Sequence, residues 1–132
     1  MTNEMNQAIA MRDAFDRIEE SYEFMLAYAA QGRKRETAEG AGESQIRQYL
    51  KRFREALDDL ETALQGEIDG PHGAAFRERF LADLAVVRSI LLILLAQPSI
   101  TSDMIDNTNG LIAMRSLLTD LFFTDQAVLP PR

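Results

Sequence analysis

Residues Ile46, Leu50, Phe53, Leu57, Leu60 and Leu64 fall four, three, four, three and four apart without a fault. A helix turns 100° per residue, so this spacing gathers all six side chains on one stripe, whereas a strand would scatter them over both faces. Such a stripe is buried only against elements with stripes of their own. Met11, Phe15, Ile18, Tyr22, Met25 and Ala29 make one, and Phe76, Phe80, Leu84 and Val87 make another. A fourth apolar segment follows Pro98, and no stretch shows the period-2 alternation of a strand. The expected fold is all-α: an antiparallel up-down four-helix bundle, with helices at about 3–31, 44–65, 73–97 and 102–123 in a single domain spanning 1–132.

Local chemistry sets the expected ends. Gly32 stops the first helix, Ser44 caps the second, Gly66 ends it, and Pro98 terminates the third. Between the first two helices, "GRKRETAEGAGES" reads as a long mobile loop. Within the fourth segment, "DNTNG" at 106–110 strings together poor helix formers, and Gly110 alone costs about 1 kcal/mol relative to Ala, which leaves a break there an open question. The terminal "LPPR" reads as a loose extended end.

The third helix carries the most informative anomaly. From Ile90 to Ala96 seven consecutive residues are apolar, and at 100° per residue they travel nearly twice around the helix axis. No single neighbouring helix covers such a run. It is too short to span a membrane, which takes about 20 residues, and Arg77, Glu78, Arg79, Asp83 and Arg88 precede it. In a symmetric bundle every helix keeps one exposed side, so Ile90, Leu91, Leu92, Ile93 and Leu95, with Leu121 and Phe122 of the fourth helix, are expected to form a homodimer or partner interface.

Chemistry is poorly served. The only histidine, His72, lies in a turn, there is no Glu-x-x-His pair, and there is no cysteine. Carboxylate-bridged di-metal sites, thiolate sites and cysteine nucleophiles are thereby excluded. "GAGES" sets glycines before a helix but lacks the lysine and spacing of a phosphate-binding loop. Glu19, Glu20, Glu23, Asp58, Asp59 and Glu61 fall beside the apolar stripes, as solvated outer residues do. No catalytic residue, metal ligand or cofactor is assigned.

Two features remain as candidate sites. Asp83 and Arg115 stand where core residues are expected, each 16 positions from Ser99. If the third and fourth helices form a hairpin centred there, the two meet at one level. They then make a partly buried ion pair that fixes register or, with Tyr22, an interior polar site for a small ligand. The second feature is charge. From Gly32 to Arg54 seven basic residues, among them Arg33, Lys34, Arg35, Arg47 and Lys51, face only three acids, while Glu55 to Asp69 holds six acids and no base. One end of the bundle is expected to be positive and able to dock an acidic or phosphate-bearing partner.

The net charge of −7 opposes general nucleic-acid or acidic-membrane binding. The N-terminal "MTNEMNQAIAMRDAFDR" lacks the basic start and apolar core of a secretory signal, so a cytoplasmic address is the default. The functional expectation is a non-enzymatic helical-bundle protein working through protein contacts, as an adaptor, assembly factor, regulator or inhibitor, and a homodimer through its third helix. The alternatives are small-molecule or anion binding at Asp83 and Arg115, and nucleic-acid contact through the basic end.

Overall fold

Side-chain caps mark where two of the helices begin. In the computed structural model, which describes residues 3–38, 42–65, 68 and 71–131, the four predicted segments form five α-helices. These are α1 (Asn3–Ala29), α2 (Gln45–Ala63), α3 (Gly73–Leu95), α4 (Ser102–Asn109) and α5 (Ile112–Phe123), followed by a π-helical turn at Thr124–Val128. The protein is all-helical. Among the described residues there is no strand, only an isolated antiparallel bridge between Ala38 and Ser44. No helix among them is long and apolar enough to cross a membrane.

Ser44 caps α2, its hydroxyl accepting from the Arg47 amide, and Thr101 caps α4, accepting from the Met104 amide at 3.1 Å. Two orphan amides are satisfied this way. After α1 the chain reverses through Gly32, whose φ of +63° lies in the left-handed region that glycine enters without steric cost. The predicted stop at Gly66 lies outside the described residues, as do Gly40 and Ala41 of "GAGES". The fourth segment is broken. Gly110 closes α4, and Leu111 is extended (φ −66°, ψ 140°) before α5 begins, so the weak helix formers of 106–110 end one helix rather than passing through it.

All six stripe residues of α2 are buried, and Phe15, Phe53 and Phe80 meet in the same core with Met11, Ile18, Met25, Leu84 and Leu91. α1 lies against α2 and α4, α2 against α3, and α3 against α5. Polar pairs cross these seams: Gln7 to the Ala63 carbonyl, Arg17 to Asp59, Arg52 to Glu20, and Arg88 to Asp58 and Glu61. The C-terminal segment is docked rather than loose. Arg12 donates to Asp125 at 2.7 Å and to the Pro130 carbonyl at 2.6 Å, holding the last turn against α1.

One glycine is fixed by packing. Gly73 is buried at the start of α3, and a Cβ built there would lie 2.2 Å from the Ile68 carbonyl oxygen, a backbone atom that cannot swing aside. Gly73→Ala is expected to destabilise the fold by about 1–3 kcal/mol through overpacking, read as a lower urea midpoint at unchanged slope.

Candidate functional site

The apolar run on α3 is covered in part, by α2 and α5. Leu91 is fully buried and Leu94 nearly so, and Ile90 and Leu95 are half-buried. Leu92 and Ile93 project outward at 45% and 62% exposure. Of the residues expected at an interface, Leu91 and also Leu121 on α5 are 0% exposed and belong to the core, because their stripes face inward; Phe122 is 49% exposed. Ile90 and Leu95 pack against the core at the edges of the run.

The outer face extends beyond the run. Ala82, Ala85, Val86, Ser89, Leu92, Ile93 and Ala96 are all exposed, and they recur three and four apart along one side of α3. None is charged. This stripe covers 14 residue steps, about 21 Å of helix at 1.5 Å per residue. The small residues in its first half carry no hydropathy signal of their own, which confines the apolar signal in the sequence to Ile90–Ala96.

Asp83 is buried on the flank of α3 that faces α5, at 7% exposure. Its partners are not Arg115. Arg79, one turn earlier on α3, donates to its carboxylate at 3.1 Å, and Ser116 on α5 donates at 2.7 Å while accepting from Arg79 at 3.0 Å. Arg115 is exposed on the outside of α5. The level-matching missed by one residue because it assumed an unbroken fourth helix, and the extended Leu111 resets which side of the helix faces α3. Tyr22 lies half-buried on α1, packed against the core, and takes no part in the cluster.

Asp120 completes this group. Only 8% exposed, it sits beside Asp83, and its Oδ2 has no partner other than a neighbouring carboxyl. Burial first, then the adjacent Asp83, pushes its pKa up to about 7, against the opposing pull of Arg79. Asp83 moves the other way. Burial by itself raises it, but hydrogen bonds from Asp120, Ser116 and Arg79 outweigh that and hold it below the usual aspartate value. Two carboxyls sharing one proton are the natural state. The sequence signal was the spacing of Ser116 and Asp120, four apart on one helix face.

Part of the basic end is spent within the chain. Arg47 grips Glu36 with both Nε and Nη2, at 2.9 and 2.8 Å, and donates to the Leu95 and Gln97 carbonyls at 2.8 and 2.6 Å. It thus closes the C-terminus of α3, whose last carbonyls have no helical partner. Glu36 also accepts from the Ile100 amide at 2.9 Å and from the Ser44 hydroxyl. Nearby, Ser102 donates to the Tyr28 carbonyl at 2.7 Å and accepts from the Arg33 amide at 2.7 Å, and the Tyr28 hydroxyl donates to the Ile100 carbonyl at 2.5 Å. The Arg33 guanidinium lies over the Tyr28 ring. Lys51 pairs with Glu43. Arg33, Lys34 and Arg35 are exposed, and three consecutive cations on one turn do not by themselves make a broad electropositive surface.

A cleft of about 420 Å³ opens elsewhere, between Glu4, Gln7 and Met11 of α1, Ile68, and the Val128–Pro130 segment. It contains neither Asp83 nor Arg115 nor Tyr22. Among the described residues, no group of three or more histidines and carboxylates is placed to hold a metal ion. No protein-family model, no curated protein and no solved structure matches the chain.

Proposed function

We propose that this chain is a non-enzymatic helical-bundle protein that acts through protein contacts, self-associating through the outer face of α3. With α4 and α5 taken as one broken arm, the elements compose an up-down bundle of four arms in one domain. Paired positions that fall along one helix as they rise along its neighbour support this, as in Gln7 with Ala63 and Glu20 with Arg52, or Arg47 with Leu95 and Arg88 with Asp58.

The observation that carries the reading is the uncharged stripe from Ala82 to Ala96. Single exposed apolar residues are ordinary, but a continuous uncharged line of about 21 Å is unlike a solvated helix face. It is the more telling on a chain of net charge −7. An adaptor, assembly factor, regulator or inhibitor would all present such a surface, and the reading keeps the cytoplasm as the compartment. Ligand binding at Asp83 is less well supported, since Arg79 and Ser116 occupy its carboxylate and Arg115 faces away. Nucleic-acid contact loses Arg47 to the clamp around Glu36 and Lys51 to Glu43, which leaves Arg33, Lys34 and Arg35 as its exposed cations on a chain of net charge −7.

The test is sedimentation of the wild type and Ile93→Glu at tens of micromolar. Wild type should associate, and the variant should run as a monomer with unchanged circular dichroism, because an outward-facing charge costs the monomer little and the contact a great deal. A wild type monomeric throughout overturns the reading.

A further inference from the structure

The pattern of the α3 face specifies its own partner: we infer that a second copy of the chain lies antiparallel across it, about a two-fold axis at Ser89. This rests on the proposed self-association and adds its geometry. The seven exposed positions are symmetric about Ser89, with Ala82 and Ala96 at equal distances on either side, Ala85 and Ile93 next, then Val86 and Leu92. Side-chain size is not symmetric. The small pair Ala85 and Val86 lies on the N-terminal side of the centre, and the large pair Leu92 and Ile93 on the C-terminal side.

That inverse arrangement decides the orientation. When two such helices pack antiparallel about Ser89, each small pair faces the copy's large pair, and the two surfaces interdigitate. When they pack parallel, large meets large at one end and small meets small at the other, leaving a gap that close-packed interfaces do not keep. At the axis serine meets serine, and at the two ends Ala82 meets Ala96, so the helices approach closely. No charge is buried anywhere along the seam, so the contact itself carries no ionic desolvation cost.

A second element lies at the same level. Asp83 meets Ser116 and Phe76 meets Phe123, so α5 runs opposite to α3, and by the same count Ile112 stands level with Val87, two residues from Ser89. Ile112 is one turn before Ser116 on the side of α5 next to α3, and it is 81% exposed, more than any other large apolar side chain described. An antiparallel two-fold keeps each flank on its own side. It therefore brings α5 over the partner's α5, with Ile112 against its own copy close to the axis. The most exposed apolar residue and the centre of the α3 pattern thus need the same operator, although they lie on different helices.

The chain has no cysteine, which makes the test direct. Ser89→Cys introduces a single thiol at the axis, and Glu78→Cys places one far from it on the same helix. Under mild oxidation, Ser89→Cys should cross-link in most chains at tens of micromolar and Glu78→Cys should stay uncross-linked. Light scattering of the reduced proteins is measured alongside. A reduced protein that is dimeric but fails to cross-link at Ser89, or that cross-links through Glu78→Cys or a lone Ile93→Cys as readily as through Ser89→Cys, overturns the antiparallel axis while leaving self-association standing. A monomeric reduced protein overturns both.

Discussion

Asp120→Asn should raise stability near pH 8 by about 1–3 kcal/mol and change it little near pH 4. In the unfolded chain Asp120 loses its proton at an ordinary aspartate value. In the folded chain burial and the neighbouring Asp83 hold the proton to about 7. Between these values the folded state binds more protons than the unfolded state, so stability falls as pH rises, by up to about 1.4 kcal/mol per pH unit. The effect is complete above the folded value. The full span would come to about 4 kcal/mol, and the smaller figure allows for solvent reaching the cluster past Arg79, whose side chain is 64% exposed. Asparagine removes the ionisation and keeps a donor for Asp83. Asp83 has the opposite sign: its depressed pKa contributes stability above the ordinary aspartate value, lost as pH falls through the folded one. The acid limb should therefore survive in Asp120→Asn while the loss between mildly acidic and mildly basic pH disappears. Urea unfolding across that range reads both limbs, and a wild-type profile flat from pH 5 to pH 8 would refute the shared proton.

This cluster also marks where the sequence stops being legible. Helix positions came through because apolar spacing is a local signal, and the faultless stripe of α2 is buried along its whole length. The apolar excess of α3 was legible for the same reason. Which polar residues meet was not, because that depends on the phase between helices, and one extended residue at Leu111, after Gly110 closes α4, suffices to replace Arg115 by Ser116 opposite Asp83. The basic end was only partly legible, for another reason. Charge counting treats Arg47 and Lys34 alike, yet Arg47 folds back onto carbonyls 48 and 50 residues away, while Lys34 stays in solvent. A tally of charges carries no information on which cations end a helix. Conversely, Ala82, Ala85 and Ser89 became informative only once their exposure was known, since the same residues would serve equally well in a core.

Arg47→Met should cost about 3–5 kcal/mol, among the largest losses for any residue outside the core, because it strands a buried carboxylate rather than merely deleting a contact. The Glu36 side chain is only 12% exposed. Burial by itself would raise its pKa, but the hydrogen bonds from Arg47, Ser44 and the Ile100 amide together hold it below the usual glutamate value. Without the guanidinium, Glu36 keeps two neutral donors, and the Leu95 and Gln97 carbonyls lose the partner that closes α3. The methionine stem preserves the packing, so the loss reports the polar clamp. Two further measurements separate this from simple loss of a charge. Glu36→Gln combined with Arg47→Met should cost clearly less than the two singles added, since no buried charge is then left unpaired. Trypsin should also cut after Lys34 and Arg35 faster in Arg47→Met than in wild type under native conditions, because Glu36 ties that segment to the start of α2 and to the α3–α4 connection. Additive singles with unchanged cleavage would mean that the clamp is a surface ion pair of little consequence, and the basic end would regain its standing as a docking surface.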